Sequence, residues 1–239
     1  YLIKKTNIKN IKNKELLEFI INIKNNTITN KKINEFINKN NDIITDYINN
    51  LIYKNKSKKI NYILNNYSKL IISKFIPIDI QTEILKLYKY KKFKVKIDSN
   101  ILYFKIFYKK NLDNNMLSIL ILKSLYTIFI FKKKNVRINI TIFMVKNKKK
   151  FPLYTFLGPT EINSGLTSFE EINKICIYRE EEIQKVIIHE MIHALNIDKQ
   201  IFLNPQNTYI ENKIKEDLNL LHLNRINLNE SYTEACTLI

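Results

Sequence analysis

The chain is nearly without glycine: two in 239 residues, Gly158 and Gly165, beside four prolines, two cysteines, three histidines and no tryptophan. Each shortage excludes something. Neither a GxGxxG dinucleotide fingerprint nor a GxxxxGK phosphate loop can be built from these two glycines. Collagen-like sequence and Gly-rich linkers are excluded with them. Cys176 and Cys236 are too few for a disulfide framework or a four-cysteine zinc site, so two free thiols in a reducing compartment are expected. The most apolar run, 117–131, is shorter than the ~20 residues a membrane span needs, and Lys123 interrupts it. A buried core helix is expected there, and no membrane span. Residues 1–14 scatter lysines and contain no apolar core of a signal peptide. The first residue is Tyr1 rather than methionine, which reads as a segment of something longer.

What is present is globular. Hydrophobic residues make up 45% and charged residues 26%, and the length suffices to bury a real core. The net charge of +18 is lopsided. Residues 1–150 hold 33 Lys+Arg against 9 Asp+Glu, whereas residues 151–239 hold 7 against 13. A basic half can contact nucleic acid or an anionic surface. Its dominant residues (Lys, Asn, Ile, Tyr, Phe) also have A/T-rich codons, and neither an arginine cluster nor an aromatic RNA-binding motif accompanies them. Weak contact through residues 1–150 is the expectation.

Periodicity divides the chain further. Residues 8–92 recur at helical spacing, as in Leu16, Leu17, Phe19, Ile20 and Ile33, Phe36, Ile37. A basic helical region over 1–92 is therefore expected, followed by a second domain over 93–239. Residues 92–98 alternate strictly and 101–107 are β-rich, with a turn at Asp98-Ser99-Asn100. A helix follows over 113–131, capped by Asn111 or Asp113. Strands are expected at 136–145, 160–167 and 174–179. Helices are expected at 180–195, where three acids open the first turn, at 207–223, and from 229 to the end. That order is α+β: a helical region, a small mixed sheet with a backing helix, then helices.

The chemistry concentrates in His189-Glu190-Met191-Ile192-His193. On a helix, residues four apart lie one turn apart on one face. Two imidazoles so placed can hold one Zn²⁺, with Glu190 beside its open side as general base. Random placement of three histidines and fifteen glutamates gives roughly 0.002 such motifs. A catalytic zinc wants a third protein ligand. Candidates are Glu230, Asp198, His222 and Glu211. The metzincin pattern HExxHxxGxxH is excluded, because Asn196 and Lys199 stand at its glycine and third histidine. Asp198, five residues after His193, is too close to fold back onto the metal. His222 stays open. Glu230 is favoured, because Glu230 and Glu234 share one helical face, so one can bind zinc while the other hydrogen-bonds a ligand histidine.

HExxH followed by a helix opening Asn229-Glu230, with an acid four residues on, resembles the gluzincins, the thermolysin-like clan of zinc peptidases. The resemblance covers roughly 112–239 and implies a zincin-like fold with one Zn²⁺. It makes His189, His193 and Glu230 the ligands, Glu190 the base and Glu234 the acid of the outer shell. Glu234 stands where the thermolysin-type pattern has Asp. The 36 residues between His193 and Glu230 exceed the thermolysin spacing. More narrowly, Glu161-Ile-Asn-Ser-Gly165-Leu-Thr167, then Ile175-Cys-Ile-Tyr-Arg179-Glu-Glu and the motif, look like metallopeptidase-like proteins of large DNA viruses. The A/T-rich bias agrees with such a source, and a cytoplasmic or virion-associated location is implied. In the clan a peptide pairs with an edge strand, here 160–168, which would place Asn163, Ser164 and Gly165 near substrate. The clan also has a further helical subdomain supplying an oxyanion stabiliser. Glu230 lies nine residues from the last residue given, so that part is expected to be either missing or cut off, and the local candidates are Tyr209, His222, Arg225 and Tyr232. The expectation is a zinc-dependent peptidase. The alternative is a zincin-fold structural or virion protein whose basic helical half binds nucleic acid or a protein partner.

Overall fold

The computed structural model describes residues 75–149, 158–202, 206–222, 226 and 228–237, together with Glu18, Asn22, Lys32, Glu35 and Lys39, which are helical. The rest of the expected helical region 8–74 lies outside the described residues, as does Arg225.

A short helix α1 (Ile78–Leu85) follows Pro77, whose fixed φ suits a helix start. Strands β1 (Lys89–Ile97) and β2 (Asn100–Tyr108) pair antiparallel in one hairpin. Asp98 turns it with φ 53, a left-handed conformation that Asp tolerates better than most residues. β1 starts at Lys89, so the helical expectation for 89–92 is corrected. Strand pairing already runs there, Tyr90 lying opposite Phe107 and packing, partly buried, against the core on one face of the sheet.

Helix α2 (Asn114–Ile130) is capped by Asp113, whose carboxylate accepts the Asn115 amide at 2.9 Å. Between 117 and 129 every residue of this helix but Ile119 is buried. Its buried hydroxyls do not go unpaired: Ser124 and Thr127 donate to the carbonyls of Leu120 and Lys123, one turn back. β3 (Arg137–Phe143) then lies parallel to β2. A helical turn α3 (Pro159–Ile162) precedes β4 (Gly165–Ser168), and β5 (Asn173–Ile177) follows. The strand expected over 160–167 is therefore shorter and later. Pro159 at the first helical position and the Glu161 carboxylate, which accepts the Gly158 amide at 2.8 Å, start a helix there instead.

The fold is α+β. The sheet runs β1-β2-β3-β5-β4, with β5 parallel to β3 and β4 antiparallel at the edge. Phe93, Phe104, Ile140 and Ile175 are register partners across four strands and form one row of the main core. Against this face pack α2 and α4 (Ile183–Ala194). The other face carries Phe107, Phe143, Cys176 and Tyr178, covered in part by Ile80 and Ile84 of α1. The other edge, β1, exposes Lys89, Lys92, Lys94 and Lys96, charges that discourage pairing with further strands. Helices α5 (Ile197–Phe202), α6 (Gln206–Asp217) and α7 (Leu228–Thr237) complete the described chain. The helix expected over 207–223 ends at Asp217, because Asn219 takes φ 54 and the Leu220 amide returns to the Lys215 carbonyl. Cys176 and Cys236 are free thiols. No described helix is long and apolar enough to cross a membrane.

Candidate metal centre

Helix α4 follows a 3-10 turn, Glu180–Glu182, whose acids suit the positive end of the helix. Ile183, Ile187, Met191 and Ala194 anchor α4 in the core. This register turns His189 and His193 to the same side. Their Nε2 atoms converge at 3.0 Å, with the ring centroids 4.7 Å apart. The third donor comes from α7. Glu230 Oε2 lies 3.2 Å from His189 Nε2, and Oε1 lies 3.5 Å from His193 Nε2. Among the described residues, these three are the group of His, Cys, Asp or Glu that could share one ion.

The spacing can be tested against zinc chemistry. Ligand atoms at 2.0–2.2 Å on tetrahedral directions are roughly 3.3 Å from one another. The separations of 3.0, 3.2 and 3.5 Å lie around that value, the two to Glu230 being made through different carboxylate oxygens, and one donor atom from each residue falls within 4.8 Å of the others. The donor set, two imidazoles and one carboxylate, is one that catalytic zinc uses. The residues fit the ion.

Both imidazoles meet a carboxylate on their outer nitrogen. His193 Nδ1 is hydrogen-bonded to Asp198 Oδ2 at 2.9 Å. Asp198 is 3% exposed, and its Oδ1 is buried without a hydrogen bond, so His193 is what holds this carboxylate. Asp198 thus stands outside the donor trio, in a role that the sequence reading missed. The chain turns back at Asn196 (φ 53) just after α4, and this brings α5 under the histidine. An Asn three residues past the HExxH motif is the signal that could have revealed it. His189 Nδ1 lies 3.1 Å from Glu234 Oε1, an ion-pair distance without hydrogen-bond alignment. Glu234 also pairs with Lys185 at 2.6 Å. The aligned bond to Asp198 favours, in the neutral imidazole, the tautomer that turns His193 Nε2 inward as a lone-pair donor.

The charges reinforce one another. Burial alone would lower the His193 imidazole, but hydrogen bonds to Glu230 and Asp198 outweigh it and push it up to about 9. The two histidines hold the Glu230 carboxyl well below the usual carboxylate range. Glu190 behaves oppositely. It is 5% exposed, and burial raises it, against a hydrogen bond from Thr167 and the nearby imidazoles. Thr167 Oγ1 donates to Glu190 Oε2 at 2.7 Å across the gap between β4 and α4. Strand pairing, not local sequence, places it there.

The remaining expected residues lie as follows. Ser164 is buried and donates to Glu182; the Asn163 carbonyl accepts from Arg179; Gly165 sits against Glu190. Glu211 pairs with Lys215 and accepts the Ile226 amide, away from the trio. Tyr209 is 73% exposed on α6, and His222 is exposed in the turn beyond it. Tyr232 packs against the main core, and its phenol is pushed up to about 12 by Cys236 and by burial. Among the described residues, no hydrogen bond or ion pair joins these three to the donor trio. The chain matches no protein-family model, no curated protein and no solved structure.

Proposed function

We propose that the protein is a zinc-dependent peptidase. One observation carries the reading: donor atoms of His189, His193 and Glu230 gather within 4.8 Å of one another, beside the buried carboxylate of Glu190 on the histidines' own helix. His189, His193 and Glu230 would hold the ion. When bound, zinc supplies Lewis acidity to an attacking water and to a scissile carbonyl. Glu190 takes the proton that this water loses and passes it to the leaving amine. The order of α2, β3, β4, β5 and α4 is the one the gluzincin resemblance implies, and this supports the reading. So does the position of β4 at the sheet edge, where an extended peptide can add as a strand.

The test is metal content by mass spectrometry, together with cleavage of a quenched-fluorescent random peptide mixture. Glu190→Gln should abolish cleavage and keep zinc, whereas His189→Ala and His193→Ala should lose the metal. A chain that binds zinc and cuts nothing would favour a structural role on the same scaffold.

A further inference from the structure

The peptidase reading leaves open what aims the base. A glutamate has three side-chain torsions, and a general base must sit within hydrogen-bond reach of the proton it takes. Burial alone does not fix a carboxylate. Glu190 instead meets two residues of β4, Gly165 and Thr167. They are two apart in a strand and so face the same side, toward α4. The Thr167 hydroxyl lies 2.7 Å from Glu190 Oε2 and 3.1 Å from the main-chain carbonyl of the same residue. It straddles the side chain and the backbone it springs from. Its single proton favours the carboxylate, since a bond to a charged acceptor is roughly twice as strong as a neutral one.

Gly165 works by absence. Its φ is not left-handed, so conformational freedom does not explain it. A Cβ there would lie 2.6 Å from Val186 Cγ1, 2.8 Å from Glu190 Oε1 and 2.9 Å from Glu190 Cγ. Any side chain at 165 must displace the carboxylate or the strand. β4 itself is held in place: the Tyr178 amide donates to the Ser164 carbonyl at 3.0 Å, and Ser164 donates to Glu182 at the start of α4.

Resting on the peptidase reading, we propose that Thr167 is the positioning residue of the base. Its hydroxyl pins Glu190 Oε2 and leaves Oε1 to the water, in a space that only glycine at 165 provides. The edge strand then has two duties. Its outer edge offers pairing to a peptide, and its inner face sets the base. Losing the second should lower kcat and leave KM nearly unchanged.

The test uses the zinc-loaded full chain with two readouts: kcat and KM on a peptide cut by the wild type, and calorimetric binding of acetohydroxamate, a zinc chelator whose N–H and O–H are natural partners of the base. Thr167→Val should lower kcat about 10–100-fold with KM within about twofold. It should weaken acetohydroxamate about tenfold, with zinc content unchanged. Thr167→Ser, which keeps the hydroxyl, should restore most of both. In a Glu190→Gln background, where only acetohydroxamate affinity can be read, Thr167→Val should weaken that affinity little further. Gly165→Ala should show the same dependence on Glu190, and it serves if the valine variant fails to fold. Wild-type values in Thr167→Val, equal losses in Thr167→Ser, or full additivity with Glu190→Gln would each overturn the proposal while the peptidase reading stands. Zinc binding without cleavage leaves the acetohydroxamate arm to decide it. A wild-type chain that binds no zinc overturns both.

Discussion

At the scale of single residues, the two outer carboxylates are unequal. Asp198 is buried and aligned with His193; Glu234 is half-exposed, misaligned with His189 and shared with Lys185. Outer partners of ligand histidines are worth about 10–100-fold in metal affinity. We expect Asp198→Ala to fall in that range and Glu234→Ala to cost less, in a competition titration against a fluorescent zinc chelator. Glu230→Ala should weaken zinc more than either, and His222→Ala should change nothing. A larger loss for Glu234→Ala than for Asp198→Ala would contradict the hydrogen-bond geometry. These residues differed in how legible they were. His189, Glu190 and His193 stand within one turn and a quarter of helix, so spacing alone placed them. Glu230 was legible because it opens a helix with a second acid one turn on. Asp198 was weighed only as a direct ligand, since its position depends on a single left-handed residue between two helices. Thr167 could not be read at all, because its partner lies 23 residues away across a strand pairing.

At the scale of elements, α2 carries an anomaly. Lys123 is 5% exposed in a helix whose other buried residues are uncharged and mostly apolar, and its ammonium reaches the Gln184 carbonyl at 3.5 Å. Burial holds the Lys123 amine below its ordinary 10.5. The unfolded chain therefore binds more protons than the folded one in the alkaline window below 10.5, so this residue makes stability rise with pH there. At lower pH the cost of the buried charge is present in full. Lys123→Met should stabilise the chain at neutral pH by about 1 kcal/mol and remove that alkaline slope. Urea denaturation at several pH values measures both, and an unchanged slope would show that the charge reaches water. Most element identities were visible in sequence because strict alternation and long apolar runs are tertiary signals as much as local ones. The boundary at 159–162 was not. The β-rich residues of 160–167 outweighed a proline and a glutamate placed to start a helical turn. The start of β1 was missed by three residues for a related reason, since Lys89 and Lys91 look like a solvated helix end until their strand partners are known.

At the scale of the whole molecule, charge and site lie apart: the donors belong to the acidic stretch 151–239, while residues 1–150 carry the positive excess. If that excess is only a solvated surface, affinity for a fluorescein-labelled oligonucleotide should be weak and should vanish by ~200 mM salt. Binding that persists there would require contacts beyond phosphate neutralisation. The three donors also lie unevenly along the chain. Two come from α4, in the middle of the packed sheet layer, and the third from α7, after a 36-residue excursion. α7 rests on α4 and α5, and the residues it buries fully are Thr233 and Thr237. Its apolar hold on the main core comes from two partly buried side chains, Tyr232 and Cys236. A metal joining Glu230 to α4 therefore closes a long loop, and its binding energy offsets the entropy of bringing that loop's ends together. Chelation should act locally. Amide hydrogen exchange in α7 should speed up when zinc is removed by EDTA, while β2, β3 and α2 keep their protection. Equal exchange in α7 with and without zinc would mean that the helix docks unaided. The consequence reaches into folding order: the sheet and α4 can form from contiguous chain, whereas the three donors meet only once α7 has docked, so on the proposed reading metal capture would follow the folding of the sheet.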